Sequence, residues 1–181
     1  MSTKTLMSVE EFQQLPDDGN RYEYNRGVLT TMPSPKHGHD RIARAISFDL
    51  SKFLEGKNLG CVYVEKSYEL DGPQLTQRPD VSFLRADRVR NTPADGYVQG
   101  SPDLAIEIIS PSNHPDYVGE KLEEYFAYGA HSVWVLYPKS RRVYRYRSPR
   151  DVQILGEGET LSEPDLFPGW EIAVSTIFEQ R

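Results

Sequence analysis

The segment Leu104-Ala105-Ile106-Glu107-Ile108-Ile109 constrains this chain most. A nearly unbroken apolar run of this kind implies a strand covered on both faces at the centre of a sheet. Glu107 interrupts it. A carboxylate in the middle of a buried strand costs several kcal/mol in desolvation unless a cation or hydrogen bonds compensate it, so Glu107 needs a partner. Alternation along the strand puts Asp103, Ala105, Glu107 and Ile109 on one face. A second carboxylate, Asp80, opens the preceding strand after Pro79. Two acids on adjacent strands could hold one hard divalent cation, which prefers carboxylate and carbonyl oxygens. Alternatively, Glu107 pairs with an arginine such as Arg78, and Pro79-Asp80 merely marks a strand start. Residue types alone leave both open.

The surrounding chain supplies helices for that sheet. Ser8-Val9-Glu10-Glu11 forms a capping box and predicts a short helix to about Leu15. Arg21 to Asn25 and Val28 to Met32 flank Arg26-Gly27 as a hairpin, closed by Pro33 and Pro35. Ile42, Ile46, Leu50, Phe53 and Leu54 recur at helical spacing between Gly38 and Leu54. Cys61 to Leu70 and Arg78 to Leu84 read as two strands joined through Asp71-Gly72-Pro73. Arg85 to Ser101, with Pro93, Gly96 and Gly100, reads as a surface loop. A helix from Asp116 to Tyr128 leads to strands at Val133 to Leu136, Val143 to Arg147 and Val152 to Leu155. No linker or repeat divides residues 1–181, which predicts a single domain.

Composition excludes some functions. A lone cysteine, Cys61, rules out an internal disulfide or a Cys-based zinc cluster, and as a free thiol it is expected to be buried. No run approaches the roughly 18 apolar residues of a membrane span, and Met1 to Leu15 lacks signal-peptide character, so the expectation is a cytoplasmic protein without a membrane partner. The net charge of -6 argues against non-specific coating of nucleic acid but allows a local basic groove. Lys139, Arg141, Arg142, Arg145, Arg147 and Arg150 place six basic residues within twelve positions. Alternating with Val143, Tyr144 and Tyr146, they predict one face of a hairpin, with Arg142, Arg145 and Arg147 candidates for phosphate contact; a solvated edge strand is the competing account.

On the Asp116 to Tyr128 helix, Val118, Leu122, Tyr125 and Phe126 define the apolar face, while Glu120, Glu123 and Glu124 point away. Lys121 is the charged residue nearest that face. It could snorkel to solvent, or lean over the sheet toward the carboxylates. His37, in His37-Gly38-His39-Asp40, precedes a helix where a phosphate or a metal-bound water could sit, although such histidines are commonly solvated or capping.

These residues carry a resemblance. Arg78-Pro79-Asp80-Val81, then Pro102-Asp103-Leu104-Ala105-Ile106-Glu107-Ile108-Ile109-Ser110-Pro111-Ser112, then Glu120-Lys121-Leu122-Glu123-Glu124-Tyr125 and Gly129 to Val135, resemble the Uma-two endonuclease family of the PD-(D/E)XK superfamily. The likeness runs from Arg21-Tyr22-Glu23-Tyr24 and Gly27, through His37-Gly38, to Leu166-Phe167-Pro168-Gly169-Trp170. It implies an α/β, restriction-endonuclease-like fold, in which a mixed β-sheet is flanked by helices and carries an N-terminal hairpin and a C-terminal β-rich extension. It also implies that Asp80 and Glu107 are the superfamily's acids. The strand lysine expected two residues after Glu107 is replaced by Ile109, and Lys121 is its substitute from the following helix. Asp80, Glu107 and the Ile108 carbonyl would then hold Mg²⁺, with Mn²⁺ able to replace it. Glu23, His37 and Asp103 are accessory candidates, Glu23 either as an outer carboxylate or in a hairpin salt bridge. The implied activity is hydrolysis of DNA, with a catalytically decayed adaptor for nucleic acid or protein as the alternative. A homodimer is expected, with Val28, Leu29 and Met32 of the hairpin as its interface.

Overall fold

The computed structural model describes residues 3–16, 18–32, 37–110 and 115–179, of which 115–117 by backbone alone. In chain order the elements are β1 (Thr3–Leu6), α1 (Val9–Gln13), β2 (Arg21–Asn25), β3 (Val28–Met32), α2 (His37–Leu54), β4 (Gly60–Val64), β5 (Tyr68–Pro73), β6 (Leu75–Gln77) and β7 (Val81–Arg85). They continue as α3 (Ala86–Asn91), β8 (Val98–Gln99), β9 (Leu104–Ile108), α4 (Pro115–Ala127), β10 (Ser132–Tyr137), β11 (Arg142–Ser148), β12 (Asp151–Leu155), β13 (Thr160–Ser162), β14 (Glu171–Ala173) and α5 (Val174–Phe178).

The apolar run does become a central strand. The main sheet has the order β12-β11-β10-β9-β7-β4, in which β9 and β10 are parallel and the other pairs antiparallel. Leu104, Ile106 and Ile108 point to one face, where Ile42, Ala43, Ile46, Leu50 and Leu54 of α2 bury against them. The C-terminal segment adds Leu161, Phe167, Trp170 and Ile177 to the same layer. Ala105, Val133 and Val135 point to the other face and meet Leu122 and Tyr125 of α4. Parallel neighbours require a crossover, and α4 is that crossover.

A second sheet, β1-β3-β2-β6-β5-β8, contributes Leu70 and Leu75 to the α4 layer, so α4 is covered from two sides. The β2–β3 hairpin turns through Arg26 (φ 41°) and Gly27 (φ 94°), the pair of left-handed residues that matches strand twist in a two-residue turn. The capping box is present, Ser8 N–H donating to Glu11 at 2.8 Å and Glu11 N–H to the Ser8 hydroxyl at 3.2 Å.

Several boundaries differ from the sequence reading. Cys61 to Leu70 is two strands in different sheets, broken at Glu65, whose φ of 52° turns the chain. Asp71-Gly72-Pro73 ends β5 and leads into β6 rather than β7. The expected loop Arg85 to Ser101 contains α3 and β8, held by Arg88, which donates to the carbonyls of Ser101 (2.6 Å) and Gln99 (3.0 Å). Cys61 is exposed, because it alternates out of the edge strand β4. Leu29 is buried within the chain's own core and β1 lies along β3, so Leu29 is not free to form the expected dimer interface. Pro33, Pro35, Pro111 and Ser112 lie outside the described residues. Among the described residues no helix is long and apolar enough to cross a membrane.

Gly60 enters β4 at φ 151°, and a Cβ there would stand 2.0 Å from the Leu84 carbonyl oxygen and 2.7 Å from the Phe83 ring. That contact is backbone and cannot move aside. Gly60→Ala is expected to destabilise the protein by about 3 kcal/mol or more, read as a fall in Tm of at least about 6 °C; an unchanged Tm would mean that β4 does not pair with β7 in this register.

Candidate active site

Antiparallel pairing of β7 with β9 aligns Val81 with Ile106. One further step sets Asp80, just before β7, opposite Glu107. Asp80 also accepts the Ile108 backbone N–H at 2.7 Å, which ties it to the central strand. Because the N–H and C=O of one strand residue point to the same side, the Ile108 carbonyl is turned toward Asp80 as well.

Two bases surround Asp80. Arg21, from β2, reaches Oδ1 at 3.0 Å, and His39 Nε2, from the first turn of α2, lies 3.1 Å from Oδ2. Glu65 stands 3.4 Å from the same arginine, and Arg78 donates to the Glu65 carbonyl at 2.6 Å. Burial alone would raise the Asp80 pKa, but the His39 contact and charge, the Ile108 N–H and Lys121 hold it below the ordinary carboxylate value. His39 shows the reverse balance: burial disfavours its charge, yet Asp80 outweighs this and raises its pKa.

Lys121 is buried, only 3% exposed. Its Nζ donates to Glu107 Oε1 at 2.8 Å and to Glu23 Oε1 at 2.7 Å. Of the two accounts of Lys121, the one that leans it over the sheet toward the carboxylates describes the structure: the amine is enclosed, because the second sheet covers α4 as well. For the same reason Glu124 is partly buried and accepts from Asn25 at 2.7 Å and from Gln77. Tyr125, one turn beyond Lys121, donates its hydroxyl to Glu107 Oε1 at 2.7 Å. Glu107 itself is 12% exposed at the side chain. Burial raises its pKa, Lys121 opposes, and the charges of Asp80 and Glu23 add to the rise, so it is pushed up to about 7. Ile109 and Lys121 line one depression beside Glu107, together with Val118, Leu122, Tyr125 and Val135. The amine thus occupies the neighbourhood that a lysine at position 109 would reach.

The structure brings Asp80, Glu107, Ile108, Lys121 and Glu23 together and places the other candidates elsewhere. Asp103 lies four residues back along the chain from Glu107 and is committed elsewhere, its carboxylate accepting Arg85 N–H at 2.9 Å and Arg88 at 3.3 Å and so anchoring α3. His37 is exposed at the start of α2, and the histidine on Asp80 is His39, two residues on. Arg142, Arg145 and Arg147 do not share a face. Val143, and with it Arg145, points to the α2 side, whereas Tyr144 and Tyr146 pack on the α4 side. Arg145 is tied to the Ser162 carbonyl and to Gln153 at 2.7 Å, while Arg142 and Arg147 are exposed. Arg21 and His39 were missed by sequence reasoning; Asp40 beside His39 and the hairpin position of Arg21 gave no signal of their direction.

A mixed sheet between helices, with two acids facing each other on adjacent strands and an amine held against one of them, defines a restriction-endonuclease-like protein. The chain belongs to the Uma2 family, described as "Putative restriction endonuclease", whose model matches residues 9–175. A solved structure titled as "a putative nuclease belonging to DUF820 from Anabaena variabilis ATCC 29413" superposes with a TM-score of 0.83 at 19% identity, covering 95% of this chain and 97% of that one. No curated protein matches the chain.

The raised pKa of Glu107 sets a pH dependence. Its folded value of about 7 exceeds an unfolded glutamate's value of about 4.3, so the metal-free fold binds the extra proton and loses this contribution to stability as pH rises between those values. Cation binding requires the carboxylate. Apparent Mn²⁺ affinity is expected to rise about fivefold from pH 6 to pH 7 and to flatten above about pH 8. Calorimetry over that range checks this, and a flat profile in the wild type would remove Glu107 from the ligand set.

Proposed function

We propose that this chain is a metal-dependent endonuclease that hydrolyses DNA phosphodiester bonds, with Asp80, Glu107 and Lys121 as its catalytic residues. The observation that carries this is the seating of the Lys121 amine 2.8 Å from Glu107, in the depression that Ile109 also lines. The donor set fits a hard divalent cation such as Mg²⁺, with Mn²⁺ as substitute: carboxylate oxygens of Asp80 and Glu107 and the Ile108 carbonyl are all oxygen ligands. Capacity exists for it, since Lys121 and Tyr125 both engage Oε1 of Glu107, and a carboxylate offers about four lone-pair sites.

Such a cation, when bound, supplies Lewis acidity to a phosphodiester oxygen and lowers the pKa of a water. The chain's own groups do the rest. Ile108 N–H and Arg21 fix the Asp80 carboxylate against rotation. Tyr125 and Glu23 fix Glu107 and the Lys121 amine, so a charge-stabilising donor is already in place when negative charge develops. His39, protonated more readily than an ordinary histidine, presents a positive group beside Asp80 to an incoming phosphate. Arg142, exposed on the α4 side of β11, is a backbone contact for longer DNA.

A second reading, a nuclease-fold protein that binds nucleic acid or a partner without cutting, is favoured by the completeness of the ion pairing: Asp80 has two basic partners and Lys121 has two acidic ones. Kinetics separate the two. Lys121→Ala is expected to depress plasmid cleavage about 100-fold or more while leaving Mn²⁺ affinity equal or higher, since a competing ammonium is gone. It should also lower Tm, because it strands Glu23 and Glu107 facing each other; removing one partner of a buried pair costs up to about 3 to 5 kcal/mol, and uptake of a proton by Glu107 reduces that. Asp80→Ala should lose both metal and cleavage. Wild-type protein that binds Mn²⁺ but cuts neither DNA nor RNA would establish the adaptor, and Lys121→Ala cutting at the wild-type rate would remove Lys121 from the mechanism.

A further inference from the structure

Behind the opposite end of the central sheet lies a second group of ligating side chains. His131 immediately precedes β10, where Ser132 pairs with Leu104 at the start of the parallel ladder, whereas Glu107 pairs with Val135. Four residues along a strand separate the two places by about 13 Å. Glu163 and Asp165 belong to the turn that follows β13. One ligand atom from each of His131, Glu163 and Asp165 lies within 4.8 Å of the others.

Glu163 is the unusual member. It is 0% exposed, its Oε2 has only a long contact to the Trp134 indole N–H at 3.4 Å, and its Oε1 is buried with no hydrogen-bond partner. A buried oxygen left unpaired in a carboxylate is costly and calls for an explanation. The His131 Nε2 to Asp165 Oδ2 separation is 3.6 Å, too long for a hydrogen bond. It is close to the edge of about 3.4 Å between neighbouring ligands of a tetrahedral ion with bonds of about 2.0 to 2.1 Å.

We propose that His131, Glu163 and Asp165 form a second divalent-cation site, of the zinc class, remote from Asp80 and Glu107. An imidazole nitrogen with two carboxylates suits zinc-class ions better than Mg²⁺ or Ca²⁺, and solvent completes the fourth position. Charge supports this, for two carboxylates and a neutral imidazole exactly balance a divalent ion. The turn bearing Glu163 is followed by Leu166, Phe167 and Trp170 in the main core. The cation therefore ties the C-terminal segment to the start of β10. Its role is structural.

The two tryptophans of the chain, Trp134 and Trp170, stack 5.6 Å apart, and Trp134 touches Glu163. They report on the site directly. Full-length protein stripped of metal is titrated with Co²⁺ while tryptophan emission and Tm are followed. Emission should be quenched and Tm should rise by about 5 °C or more at saturating metal, and Zn²⁺ but not millimolar Mg²⁺ should displace the Co²⁺. His131→Ala and Asp165→Asn, at a half-buried and an exposed side chain, should abolish quenching and reduce the Tm rise to that of the Asp80 and Glu107 site, while retaining the metal-free Tm. Asp80→Ala should keep both signals, so failure of the nuclease proposal and failure of this one are distinguishable. Absence of quenching in the wild type, quenching that survives His131→Ala, or quenching lost in Asp80→Ala would each overturn the second site.

Discussion

The ammonium of Lys121 between Glu23 and Glu107 is the interaction on which this architecture turns. Here the central sheet, the crossover helix α4 and the second sheet meet through charge. An enclosed lysine is stable only with acids beside it, and an enclosed pair of acids is stable only with the lysine. Each group therefore accounts for the burial of the others. Glu124, one turn along, repeats the pattern with Asn25 and Gln77, so α4 is fixed to the second sheet by polar contacts and to the central sheet by Leu122 and Tyr125.

Asp80 is held by different means. Its carboxylate is part of the backbone ladder through the Ile108 N–H, and its charge is met by Arg21 of β2, the strand that also carries Glu23, and by His39 of α2. The result is two acids a ladder step apart whose protonation is driven in opposite directions, Asp80 downward and Glu107 upward. Such a split between neighbouring titratable groups is common where groups have distinct chemical tasks.

The central features were legible because they rest on local rules. Five apolar residues interrupted by Glu107 marked a buried strand, period-two alternation separated Ala105 from Ile106, and helical spacing marked α2 and the apolar side of α4. What escaped depended on long-range pairing. Nothing near Cys61 to Leu70 announces that the two ends of that segment join different sheets. Glu124 looked solvent-facing because a helical wheel knows only one covering layer, and the same wheel left Lys121 open between solvent and the carboxylates. His37 and His39 lie two residues apart at a helix start, and which one meets Asp80 is decided by the seating of α2 on the sheet. Arg142 and Arg145 were misassigned by treating a cluster of charge as a face, against the strand's own alternation. Glu163 attracted no notice at all, since a single acid in a polar turn carries no signal until the fold buries it.

The parallel pairing of β9 and β10 has a consequence for how this centre is assembled. A parallel neighbour can be reached only by a crossing helix, so the chain that leaves Glu107 must pass back over the same face before it resumes as β10. An amine on that helix is carried over Glu107 by connectivity itself, whichever of the two elements encodes it. Ile109, two residues after Glu107, lends its side chain to the hydrophobic wall under α4. The centre consists of a half built into the hydrogen-bond ladder and a half delivered by helix docking. Partial undocking of α4 would withdraw the second half and bare Glu107 to solvent while leaving the ladder that presents both acids in register.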